Sequence, residues 1–61
     1  MRLTSLQRQF LWPADVPLVK LRIWIGQQLA EEGDVLRWAL TEVRSSADGA
    51  RTLHVEAVIS A

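Results

Sequence analysis

The sequence predicts an α+β domain, with one helix over about residues 16–32 followed by a two-stranded antiparallel hairpin over about residues 35–44 and 51–60. Three observations lead to this fold class: an alternating C-terminal segment, a tight-turn signal before it, and an apolar stripe at helical spacing. At 61 residues the chain is a single domain, and such a domain buries only about 60% of the surface that its unfolded chain exposes. Because an isolated hairpin is marginally stable, we expect dimerisation or a partner protein to complete the fold.

The C-terminal strand is the clearest predicted element. Over residues 51–60 apolar and polar side chains alternate, which is the period of a half-buried strand. The apolar positions are Leu53, Val55, Ala57 and Ile59. Asp48 and Gly49 favour a tight turn because both residues tolerate positive φ. A two-residue loop at that point pairs Trp38 with Ile59 on the apolar face.

Residues 34–46 are open to two interpretations. As a helix, the segment would begin at Asp34 as N-cap and place Leu36 and Leu40 on one stripe. As a strand, it would point Trp38 inward and Val43 outward by simple alternation, and its aromatic and β-branched residues suit a pleated surface. We favour the strand, since it pairs naturally across the predicted turn.

The middle of the chain is ambiguous in a similar way. Its apolar stripe predicts a helix that Gly33 would end. The stripe consists of Leu18, Leu21, Ile25 and Leu29. Residues 19–25 also alternate as a strand would, but residues 27–32 are strong helix formers that continue the stripe in phase. The remaining segment, residues 1–12, is a possible arm or edge strand.

Composition excludes several kinds of site. Cysteine is absent and His54 is the single histidine, which excludes disulfides, thiolate metal sites and a histidine cluster for zinc. The formal net charge is zero, so the chain lacks the field that attracts nucleic acid or acidic membranes. Residues 16–25 form the longest apolar stretch, but Lys20 and Arg22 interrupt it and it is too short to span a membrane. We expect a cytoplasmic protein without cofactor or metal.

Two Leu-Arg pairs lead into tryptophans, at residues 21–24 and 36–38. Tryptophan and arginine together could stack and hold single-stranded nucleic acid. Such binders usually set their aromatic residues in a wider basic surface, and here only Lys20 lies close to either pair. We therefore interpret the tryptophans as core or interface residues. The predicted interface residues are Trp24, Ile23, Trp12 and Trp38.

Candidate catalytic residues are few. His54 and Glu56 would share one strand face, where they could act as a general base or bind a metal, but neither a nucleophile nor a third metal ligand accompanies them. The acidic group at residues 31–34 has neither the ligand number nor the spacing of a calcium loop. We predict that the chain is not an enzyme.

These observations predict a non-catalytic interaction or accessory module that self-associates, as a dimer, or docks into a larger complex. Its folding would be coupled to association, with Trp24 in the contact. The alternative is a small dimeric nucleic-acid-binding regulator, in which dimerisation gathers Arg22, Arg37 and Arg44 into one surface.

One further observation is a likeness of sequence. The segment LRIWIGQQLAEEGDVLRWALT followed by LHVEAVIS resembles small uncharacterised cyanobacterial proteins. The likeness rests on the hydrophobic pattern and on words such as LRWAL and VEAVIS. It includes no catalytic motif and implies no particular function.

Overall fold

A computed structural model describes residues 2–60, which form three strands and one helix. In chain order these are β1 (Leu3–Leu11), α1 (Leu18–Ala30), β2 (Asp34–Ser45) and β3 (Arg51–Ser60). The strand order across the sheet is β1-β3-β2, and β3 runs antiparallel to both neighbours. The last strand of the chain is therefore the central one, and α1 carries the chain from one edge of the sheet to the other.

The predicted fold class is wrong, because the sheet has three strands rather than two. Residues 3–11 pair along their whole length with β3, so the third strand comes from the chain itself. This strand is hard to recognise in the sequence. Its positions facing the helix alternate between polar and apolar side chains, with Arg8 between Leu6 and Phe10. Arginine is unusual at a position paired with buried Val55, and Arg8 therefore obscures the apolar alternation of β1.

The core lies on one face of the sheet, between β3 and α1. The helix contributes Leu21, Ile25 and Leu29. The central strand contributes Leu53, Val55, Ala57 and Ile59. Half-buried residues from β1 and β2 pack against this core, including Leu6 and Phe10 of β1 and Val35 of β2. The other face of the sheet has no helix on it within the described residues, and we call it the open face.

Helix α1 is two residues shorter at each end than predicted. Pro17 is the N-cap, in extended conformation, rather than a residue of the first turn. After the helix, Gly33 adopts φ +146°, and a Cβ there would lie 2.9 Å from the backbone oxygen of Ser60. Both facts require glycine, because the chain must pass close to the end of β3 as it enters β2.

Residues 34–45 form a strand, so the helical interpretation of this segment is wrong. The pairing with β3 differs from the predicted register by two residues, with Trp38 opposite Ala57. Five residues rather than two connect the strands, and the Ser46 amide donates to the Ala50 carbonyl oxygen over 2.8 Å. The longer loop accounts for a shift of one residue, since Ser45 pairs with Arg51, and a bulge between Leu40 and Glu42 adds the second. Because side chains alternate with a period of two, this shift leaves Trp38 on the predicted face.

Strand β2 is interrupted by two bulges. The register shifts between Val35 and Arg37 and again between Leu40 and Glu42. The second shift places Val43 opposite buried Leu53, on the helix side of the sheet, whereas the uninterrupted alternation predicted that Val43 faces outward. Bulges of this kind re-aim the side chains that follow them, and simple alternation cannot foresee them.

Candidate functional site

Helix α1 has apolar residues on two of its sides. The inner stripe, Leu21, Ile25 and Leu29, faces the sheet and is buried. The outer stripe lies about 130° further around the helix axis at 3.6 residues per turn. It consists of Val19, Ile23, Gly26 and Ala30. Its two large side chains, Val19 and Ile23, are 83% and 67% exposed.

Trp24, a predicted interface residue, lies on the flank of the helix nearest β1. It is half-buried, and its ring meets that of Phe10 edge to face, with 5.7 Å between centroids and an interplanar angle of 85°. Edge-to-face pairs of this geometry are favourable beyond the area that they bury. Trp24 therefore packs α1 onto β1 within one chain.

Trp12 closes the connection between β1 and α1. Its indole Nε1 donates to the Val16 carbonyl oxygen over 2.7 Å. The Arg51 guanidinium carbon lies 3.7 Å from the centre of the Trp12 ring, a cation–π contact. The ring is half-buried against the core. These contacts give Trp12 a role in the packing of its own chain.

Trp38 lines a groove between α1 and β2. The Arg22 guanidinium carbon is 5.8 Å from the centre of its ring, at the outer limit of a cation–π contact. Exposed Leu18 and Leu40 line the same groove, which has a volume of about 380 Å³. Leu18 was predicted to belong to the buried stripe, but it is 73% exposed. Of the four predicted interface residues, the three tryptophans pack within the chain and Ile23 points outward.

The arginines of the nucleic-acid alternative do not share a surface within one chain. Arg22 lies on the helix side, over Trp38. Arg37 and Arg44 pair with Val58 and Thr52, which are residues of the open face. Arg44 is further engaged in an ion pair with Glu42. The sheet thus separates Arg22 from the other two arginines.

The open face is predominantly polar along its centre. His54 Nε2 lies 3.9 Å from Glu42 Oε2, and Gln7 Nε2 donates to Glu56 Oε1 over 3.1 Å. Among residues 2–60, no three histidine, cysteine or acidic residues are grouped to hold a metal ion. The groups that do lie there pair with one another across neighbouring strands.

The described part of the chain contains no helix with the length and apolarity needed to cross a membrane. A family model described as a domain of unknown function, DUF8621, matches residues 4–61. The chain belongs to the DUF8621 family. No curated protein and no solved structure matches it significantly. The match covers α1, β2 and β3 and all but the first residue of β1, so the DUF8621 domain accounts for nearly the whole chain.

Sequence reasoning did not recognise the outer stripe of this DUF8621 domain as a separate face of the helix. Its positions follow the spacing i, i+4, i+7 and i+11, which marks one face of a helix. That signal was present in the sequence, but two of its four members are the small residues Gly26 and Ala30. Small residues add little to a hydrophobic pattern, and the stronger inner stripe masked the weaker one.

Proposed function

We propose that this DUF8621 domain is a non-catalytic interaction module that associates with a second copy of itself. The observation that carries the proposal is an excess of exposed apolar surface. Among the described residues, seven hydrophobic side chains are buried and eight large ones are exposed. The exposed ones are Leu3, Leu11, Leu18, Val19, Ile23, Leu36, Leu40 and Val43.

The exposed residues are unevenly distributed. Single exposed apolar side chains are normal on a soluble domain, but contiguous apolar surface marks an interaction site. Five of the eight belong to α1 or to the helix side of β2. These five are Leu18, Val19, Ile23, Leu40 and Val43. The helix side therefore offers apolar contact area, whereas the centre of the open face is polar and exposed Leu3 and Leu11 lie at its β1 edge.

Self-association agrees with the charge and size of the chain. A formal net charge of zero leaves little repulsion between two copies. A domain of 61 residues has a small core, and a partner that binds only the folded state adds to its stability. Association of copies supplies this stabilisation without a metal or a disulfide.

Sedimentation velocity from micromolar to millimolar protein tests the proposal. We expect a mass above that of the 6.9 kDa chain, rising with protein concentration. A monomer over the whole range would overturn self-association. Titration with single-stranded and duplex oligonucleotides tests the alternative regulator. We expect no specific binding, because the arginines lie on separate faces, and tight, steeply salt-sensitive binding would favour the regulator instead.

A further inference from the structure

We infer that the second copy packs on the outer stripe of α1, as an antiparallel helix pair around a two-fold axis level with residues 24–25. This inference rests on the proposed self-association and names its contact surface. The outer stripe runs about 16 Å along the helix, at 1.5 Å per residue, and so spans three turns. Its two large side chains are largely exposed in the single chain.

The stripe is self-complementary in shape. Its N-terminal half carries the large residues Val19 and Ile23, and its C-terminal half carries the small residues Gly26 and Ala30. When two antiparallel copies are centred on residues 24–25, each large side chain of one stripe lies opposite a small residue of the other. Val19 then lies against Ala30 of the second copy, and Ile23 lies against Gly26 of the second copy. Packing of this kind lets two helix axes approach closely.

Gly26 has no explanation within the chain. A Cβ built at this position would meet no described atom within 4 Å, and its φ is not positive, unlike those of Gly33 and Gly49. Glycine in the middle of a helix is less favourable than alanine because it loses more backbone freedom on folding. The close approach of a second helix supplies the missing reason, since the partner's Ile23 would occupy the space that a side chain at residue 26 would fill.

Charge selects the antiparallel arrangement. Lys20 lies in the first turn of α1 and Glu31 is its C-cap, so each stands at the end where the helix dipole disfavours its charge. Neither forms an ion pair with any of residues 2–60, whereas Glu32 is held by Arg8. Lys20 and Glu31 are about three turns apart and so lie on the same flank of the stripe. Antiparallel pairing brings this flank of the two copies together and sets Lys20 near the second copy's Glu31, whereas parallel pairing places the two flanks on opposite sides of the contact, where these charges do not meet.

Thiol cross-linking tests the geometry, because the chain has no cysteine of its own. The Val19→Cys and Ala30→Cys variants both place a thiol on exposed positions. In the antiparallel pair a mixture of the two variants should cross-link with a short thiol reagent. Each variant alone should react far less, since its two thiols would be about 16 Å apart along the helix. Dominant cross-linking of either single variant would overturn the arrangement.

Substitutions at the centre of the stripe test the contact itself. We expect Gly26→Ala to raise the melting temperature of the dilute monomer, as alanine is the better helix former, and to weaken the dimer about tenfold by overpacking. Ile23→Lys should weaken the dimer about 100-fold by placing a charge in an apolar contact. Its matched control is Leu11→Lys, at a position 64% exposed on the open face, which should leave the dimer unchanged.

The outcomes separate the two proposals. If sedimentation shows a dimer whose dissociation constant is unchanged by both Gly26→Ala and Ile23→Lys, the helix contact is overturned and self-association stands. A wild-type chain that stays monomeric would overturn both. A dimer that Leu11→Lys weakens as much as Ile23→Lys does would place the contact on the open face instead and overturn the inference.

Discussion

The two apolar stripes of α1 share one helix and differ almost completely in their surroundings. The inner stripe is at most 3% exposed, whereas the large residues of the outer stripe are mostly in solvent. Both stripes recur at helical spacing, so periodicity alone does not show which one meets the sheet. The stripes differ in the size of their side chains: the inner stripe has only large residues, whereas two of the four residues of the outer stripe are small. A core needs large side chains to fill its volume, whereas a helix contact tolerates small ones.

The largest difference should appear when equivalent side chains of the two stripes are truncated. We expect Ile25→Ala to lower the free energy of unfolding by about 3 kcal/mol, because it leaves a cavity beside buried β3. The matched change on the outer stripe, Ile23→Ala, should cost the monomer less than about 0.5 kcal/mol. Urea denaturation of dilute protein measures both. Equal losses would show that the outer stripe is also part of the core.

Trp24 marks the boundary between the stripes. Because its ring is half-buried against Phe10, we expect Trp24→Ala to lower the free energy of unfolding by about 2 kcal/mol, less than for a fully buried tryptophan. Denaturation at several protein concentrations measures this loss. The loss should be the same at all concentrations at which the chain is monomeric. A loss that grows with protein concentration would instead move Trp24 into the contact between copies.

A smaller effect is expected from the ion pair that ties β1 to the end of α1. Arg8 Nε donates to Glu32 Oε2 over 2.9 Å, but both side chains are partly exposed, so solvent screens the pair. We expect Arg8→Ala to cost about 0.5 kcal/mol in thermal denaturation, and less at high salt. The control is Arg44→Ala, which removes an ion pair within β2 and should change stability less. A cost for Arg8→Ala that high salt leaves unchanged would point to packing rather than charge.

The smallest effect should come from the hairpin loop, far from both stripes. The Ser46 hydroxyl donates to the Asp48 carboxylate, and this hydrogen bond is the main cause of a lowered Asp48 pKa. The Ala50 amide donates to the same carboxylate and lowers the pKa further. A lowered folded pKa means that this stabilisation is present above the unfolded pKa of about 4 and is lost as pH falls through the folded value. Asp48→Asn should therefore be less stable than the wild type at neutral pH, with the difference shrinking in acid.

Melting temperatures recorded between neutral pH and pH 2 check this expectation. Ser46→Ala, which removes the largest cause of the shift, should reproduce part of the effect. A gap between wild type and Asp48→Asn that stays constant into acid would show that the loop depends on the shape of Asp48 and not on its charge.

Much of the local structure could be predicted from the sequence. The alternation of residues 51–60 and the stripe through Leu21, Ile25 and Leu29 reflect burial directly, because each records which side of an element faces away from water. The longer loop and the bulge after Leu40 changed the register of the hairpin, which left Trp38 on its predicted face but turned Val43 to the helix side. Of the predicted interface residues, only Ile23 is on the surface now proposed for association, and Gly26 and Ala30 were not predicted to belong to an interface.

Local pattern determined where α1 and β3 lie and which of their faces are apolar, because both properties depend on residues that are near neighbours in the chain. Only the tertiary structure decided that residues 3–11 form the third strand, that β3 is central, and that bulges turn Val43 toward the helix side. These features depend on contacts between residues far apart in sequence. Arg8 shows the reason most clearly: it can occupy a helix-facing position because its guanidinium reaches Glu32, a neighbour that only folding brings near.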